Sequence, residues 1–98
     1  MHTLVIQHHV NSFEAWRKAF DDDPVARAES GVARHAIYRP ADDPNSVVIE
    51  LDFPTREQAD RMLGALRGLW AKVGERVGFG GPENVDTRIL DRVEVVNY

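Results

Sequence analysis

His8-His9-Val10-Asn11-Ser12-Phe13-Glu14-Ala15-Trp16-Arg17-Lys18-Ala19-Phe20-Asp21 is the stretch in which the period of the apolar residues changes. Upstream of it Leu4, Ile6, His8 and Val10 alternate, which in a strand puts all four on one face and turns His9 to the other. Downstream Phe13, Trp16 and Phe20 recur at helical spacing. Asn11 is a residue type that caps helices, with Glu14 three positions on to reach back to its N–H, and the helix is expected from about Ser12. A strand that runs directly into an aromatic-faced helix predicts a helix lying over a sheet. If that helix covers the face carrying His8, an imidazole and an indole meet in an apolar wall, a common composition for a small-molecule pocket.

The helix should end at Asp21-Asp22-Asp23-Pro24, where proline lacks the amide donor. Three adjacent aspartates read as a solvated loop, without the spaced ligands and turn glycine of a calcium site. Val25 to Glu29 is expected to add a helical turn stopped by Gly31. Alternation returns from Val32 to Arg39 and, after the turn-rich Pro40 to Asn45, from Ser46 to Phe53, which together predict an antiparallel hairpin. Val47, Ile49, Leu51 and Phe53 make one wholly apolar face, while Ser46, Val48, Glu50 and Asp52 make a mixed one.

Thr55, with Gln58 at the capping-box position, opens a second helix whose stripe is Ala59, Met62, Leu63, Leu66, Leu69, Trp70, Val73 and Val77. Gly74, Gly78, Gly80, Gly81 and Pro82 predict a flexible loop, and their spacing is not that of a phosphate-binding fingerprint. A final strand is expected from about Val85 to Val96, and Val93, Val95, Val96 and Tyr98 make its end too apolar for a free edge, so it should pair with another subunit. The order strand, helix, strand, strand, helix, strand predicts an α+β, ferredoxin-like βαββαβ domain over residues 1–98, with a four-stranded antiparallel sheet and two helices on one face.

Ninety-eight residues, 43% of them hydrophobic, suit one domain small enough to gain from association. A formal charge of −4, with twelve basic residues scattered among sixteen acids, argues against nucleic acid and anionic membranes as partners. Without cysteine there is no disulfide framework, thiolate metal site or cysteine nucleophile. No apolar run approaches a membrane span, and the basic region and apolar core of a secretion signal are missing, so a cytoplasmic, soluble protein is expected.

His8 is the main candidate for chemistry, either as a general base with a reference pKa near neutrality or as a core histidine bonded to a neighbouring carbonyl. His9 and His35 could belong to a metal site, but adjacent His8 and His9 face opposite ways and cannot easily share one ion, and no carboxylate and histidine pair stands at helical i, i+4 spacing, so no metal is expected. Trp16 and Trp70 read as cavity walls or as core. Tyr38 and Arg39 end a strand, and only one of them can face the pocket. Glu50 and Asp52, two apart on one face, should meet arginines across the sheet or an interface.

The His8-x-Val10 strand end, Phe13-x-x-Trp16-x-x-x-Phe20-Asp21, Tyr38-Arg39, Asp43-Pro44-Asn45 before Val47 to Phe53, and Thr55-x-Glu57-x-Ala59 together cover nearly the whole chain. In them the sequence resembles the dimeric α+β barrel superfamily, and in particular small bacterial proteins of the antibiotic-biosynthesis-monooxygenase and cyclase-like type. The resemblance implies a homodimer formed through the sheet face, often with an exchanged C-terminal strand. It also implies one of several chemistries: cofactor-free oxygenation of polycyclic phenols, lactone isomerisation, polyketide cyclisation or haem degradation. A haem enzyme of that kind should carry an axial histidine on the second helix, and there is none from Arg56 to Val77. The expectation is therefore a monooxygenase or cyclase needing no cofactor and acting on an aromatic or polyketide-like ligand. In it His8 is the base, and Trp16, Phe20, Tyr38 and Trp70 shape the cavity. A non-catalytic dimer that binds a small ligand or serves a structural role is the alternative, favoured if side chains fill the space between sheet and helices.

Overall fold

The computed structural model describes residues 1–73 and 84–98. Its elements follow in the order β1 (His2–His9), α1 (Phe13–Asp21), β2 (Arg34–Tyr38), β3 (Ser46–Phe53), α2 (Arg56–Val73) and β4 (Val85–Asp91). The strands form one antiparallel sheet in the order β2-β3-β1-β4, the ferredoxin-like arrangement. Strand β1 is central and pairs on both sides, Leu4 lying between Leu51 and Ile89, and His8 between Val47 and Val85.

Because side chains alternate, these registers define two faces. Leu4, Ile6, Val47, Ile49, Leu51 and Phe53 share the core with Trp16, Ala59, Met62, Leu66 and Trp70 from the helices, so both helices cover the same face. Complete removal of a Leu or Phe side chain from water contributes roughly 1.5–3 kcal/mol, and Leu4, Val47, Phe53 and Ala59 are fully buried.

Helix α1 begins one residue later than an Asn11 cap would set it. Ser12 has extended dihedrals and its Oγ accepts the Ala15 N–H at 3.2 Å, while the Glu14 carboxylate stands 3.5 Å from Ser12 Oγ. The predicted turn from Val25 to Glu29 is not helical. Asp23 and Ala26 take positive φ angles of 52° and 49°, which break the helical path, and the loop closes through Ser30 N–H to Ala26 O and Val32 N–H to Arg27 O. Gly31, at φ 100°, has a conformation that a side chain resists, and a Cβ there would meet the Gln58 amide at 2.6 Å.

Strand β2 is shorter than the expected Val32 to Arg39, whereas β3 has the expected ends. Helix α2 starts after Thr55, whose Oγ1 accepts the Gln58 N–H at 3.2 Å and donates to Gln58 Oε1 at 3.1 Å. The glycine-rich stretch expected as a loop, with Val77, falls outside the described residues.

Strand β4 ends at Asp91, not near Val96. Its pairing with β1 stops at His2 opposite Asp91, followed by one bond from Arg92 N–H to Met1 O. No described strand of the same chain lies beside residues 93–98, and Val93, Val95, Val96 and Tyr98 are left exposed. Among the described residues, no helix is long and apolar enough to cross a membrane.

The face away from the helices carries a buried ionic cluster. Asp52, 1% exposed, accepts from Thr3 Oγ1 at 2.6 Å, Arg34 Nε at 2.7 Å and Arg92 Nη2 at 2.9 Å. Arg34 is on β2, Asp52 on β3, Thr3 on β1, and Arg92 follows β4, so one carboxylate ties all four strands. Burial, the largest influence, pushes this carboxyl upward, but the bonds from Thr3, Arg92 and Arg34 together overcome it and hold the pKa at about 2. The arginines expected to meet Asp52 are thus in place.

Candidate small-molecule cavity

His8 is the penultimate residue of β1 and stands on the helix-covered face, next to the turn that sends the chain into α1. Its imidazole is 5% exposed, and Nδ1 lies 3.1 Å from the His9 carbonyl oxygen. A carbonyl only accepts, so Nδ1 carries the proton and the basic lone pair belongs to Nε2. Burial lowers the His8 pKa, with the His9 carbonyl opposing that shift and the His9 charge adding to it. The ring is therefore neutral at neutral pH, the form a base requires.

One helical turn into α1, Trp16 sits with its ring centroid 6.2 Å from His8 and tilted by 59°. The i, i+4 spacing brings Phe20 onto the same stripe, stacked on Trp16 at 5.1 Å. Beyond it the Arg27 guanidinium, delivered by the loop after α1, lies 3.7 Å over the Phe20 ring. His35 meets the same ring edge-on at 5.2 Å. The His35 pKa is lowered, by desolvation first and then by Arg27 and Arg17.

His8, Trp16, Phe20 and Arg27 border a cavity of about 340 Å³ between α1, α2 and the sheet, within the size range of small-ligand sites. Ile6, His8, Ile49 and Leu51 form its floor, Trp16, Ala19 and Phe20 one wall, and Leu66, Leu69 and Trp70 the other. Asp22, Pro24, Val25 and Arg27 come from the loop. The lining is mostly apolar, with His8, Asp22 and Arg27 as its ionisable members. Among the described residues, the space between sheet and helices is therefore not filled by side chains.

Four of the five residues expected around the site are brought together: His8, Trp16, Phe20 and Trp70. Tyr38 is not among them. It is opposite Val48 on the face away from the helices, half exposed, with its hydroxyl directed at Glu50 Oε1 3.5 Å away. The reason is parity: Tyr38 shares a face with Arg34, whose partner Asp52 belongs to that side. Arg39 does not line the cavity either; its guanidinium lies 4.5 Å over Phe13, in a groove with Glu14, Arg17 and Lys18. Arg27 was not anticipated, since it follows an acidic run in a segment without periodicity and reaches the site only through the folded loop. Among the described residues no group of three His, Cys, Asp or Glu side chains is placed to hold a metal ion.

The geometry defines a class: a ferredoxin-like domain with an aromatic cavity between its helices and sheet, the fold of antibiotic-biosynthesis-monooxygenase-like proteins. No family model and no curated protein matches the chain. Among solved structures it is similar to a variant of SnoaB, a cofactor-independent oxygenase from Streptomyces nogalater, at TM-score 0.72 and 19% identity over 99% of this chain and 97% of that one. A second similar structure is an antibiotic biosynthesis monooxygenase, at TM-score 0.64 and 13% identity, covering 96% of this chain and all (100%) of the other. A third is a dimeric ferredoxin-like protein from an uncultured marine organism, at TM-score 0.63 and 14% identity over 97% of both chains. At these identities the likeness establishes the fold.

Proposed function

We propose that this protein is a monooxygenase or cyclase that needs no cofactor and acts on an aromatic or polyketide-like small molecule, with His8 as its base. The observation that carries this reading is a buried imidazole in the wall of an apolar cavity, with Nδ1 3.1 Å from a backbone carbonyl oxygen. In such a cavity Nε2 takes a proton from a phenol or from a carbon beside a carbonyl. The resulting carbanion attacks a second carbonyl of the same molecule, whose alkoxide recovers the proton, giving cyclisation. Alternatively, it passes its electrons to dioxygen: a methylene becomes a carbonyl, one oxygen atom stays in the product and the other leaves as water. The substrate supplies both electrons and protons, so the protein provides the base, the orientation and the exclusion of water. The likeness to a cofactor-independent oxygenase supports the second route.

The functional unit in this reading is a homodimer, in line with the dimeric ferredoxin-like neighbour. Its interface is the sheet face bearing Val5, Val48 and the Asp52 cluster, extended by residues 93–98 pairing with the partner subunit.

The test uses an anthrone, a polycyclic aryl ketone with an acidic methylene, and follows oxygen consumption. His8→Ala should lower the rate by about 10²-fold or more, the low end of what general-base catalysis contributes, with the dimer and the far-ultraviolet circular dichroism unchanged. An His8→Ala protein as active as wild type would overturn the base assignment. Tight binding of the anthrone with no turnover by wild type would leave the non-catalytic, ligand-binding alternative.

A further inference from the structure

The row of π-systems in the cavity does not end on a hydrocarbon. His8 borders Trp16, Trp16 stacks on Phe20, and Phe20 carries the Arg27 guanidinium at 3.7 Å, so the base and a permanent cation stand at different places along one aromatic wall. The Arg27 side chain is 15% exposed, deep for a guanidinium. Its Nη1 makes both of its polar contacts: it donates to Phe20 O at 2.8 Å and stands 3.5 Å from Asp23 Oδ1. The second distance is long for a charge-assisted bond. Nε and Nη2 have no hydrogen-bond partner among the described residues, yet no side-chain nitrogen or oxygen there is both fully buried and unbonded, so these N–H groups keep some accessible surface. Arg17, 5.9 Å from the Phe20 ring, is paired with Asp21 at 3.3 Å and lines the neighbouring groove instead of this cavity. Asp22 lines the same part of the cavity but is exposed and solvated.

A cation held over a ring by a backbone carbonyl keeps its position without a ligand. It turns a cavity that would otherwise take any flat hydrocarbon into one with an anion-accepting end. We propose that Arg27 is the specificity-determining residue of this cavity, selecting flat aromatic ligands that carry a carboxylate or enolate oxygen away from the reacting end at His8. The planar fork of the guanidinium suits two oxygens of one carboxylate, which Nε and Nη2 can meet together. This inference rests on the reading of the cavity as the ligand site, but it concerns binding and does not depend on turnover.

The experiment compares 3-hydroxy-2-naphthoate with its methyl ester by calorimetric titration against wild type, Arg27→Gln, Arg27→Lys and Trp16→Ala. Wild type should bind the carboxylate about tenfold more tightly than the ester, the scale set by one hydrogen bond to a charged group. Arg27→Gln should remove that preference while still binding the ester, and Arg27→Lys should keep part of it. Trp16→Ala should weaken both ligands. Equal affinity of wild type for the two ligands, or a preference that survives in Arg27→Gln, would overturn the proposal. So would unchanged binding of both by Trp16→Ala, since they would then sit elsewhere. An active His8→Ala enzyme that kept the carboxylate preference would sink the base assignment and leave Arg27 in its role.

Discussion

The depressed pKa of His8 means that the folded chain resists a proton the unfolded chain accepts. Between the ordinary histidine value of 6.5 and the lower folded value the unfolded state binds more protons, so stability falls as pH drops through that window and is untouched above it. His35 contributes with the same sign but is exposed. Denaturant titrations at pH 7 and pH 5 should therefore show a loss on acidification that shrinks in His8→Asn. An identical pH slope in the variant would mean that His8 is not buried in its neutral form. The same residue shows how far a single position was legible. Its parity on the strand was evident from Leu4, Ile6 and Val10, while the Nδ1 contact with the His9 carbonyl depends on a rotamer that no sequence pattern reports.

Among the elements, the sheet is held on one side by hydrophobic packing and on the other by Asp52. The carboxylate, with a folded pKa of about 2 against an ordinary 3.8, contributes stability that is complete above the unfolded value and is lost as pH falls through the folded one. That contribution is about 2 kcal/mol. Asp52→Asn should be less stable than wild type by about that amount at neutral pH, with the gap closing toward pH 2. A constant gap across the acid range would show that the variant acts through packing and not through charge. Glu50 and Asp52, both on the mixed face, pointed to arginine partners. That one of those partners would be Arg92, reaching across from beyond β4, was not evident, because its separation in sequence is long and only the β1–β4 register brings it near. The acidic loop after α1 was equally opaque: its path is set by positive φ at Asp23 and Ala26, conformations that sequence composition disfavours.

For the whole molecule, the exposed Val93, Val95, Val96 and Tyr98 are an apolar end with no partner strand in the described chain. In the proposed dimer, association should hide them together with the half-buried Val48, and deletion of residues 93–98 is expected to shift that dimer to monomer in native mass spectrometry, with the cavity residues still folded. A deletion variant that dimerises as tightly as the full chain would remove the C-terminal segment from the interface. The βαββαβ order, the helix-facing residues and the central role of the stretch around His8 were fixed by local periodicity, because alternation and three-to-four spacing are properties of neighbouring residues. The end of β4, the exclusion of Tyr38 from the cavity and the arrival of Arg27 over Phe20 were decided by the tertiary structure. Each depends on which strand or ring lies alongside, a relation between residues distant in the chain that no local pattern encodes.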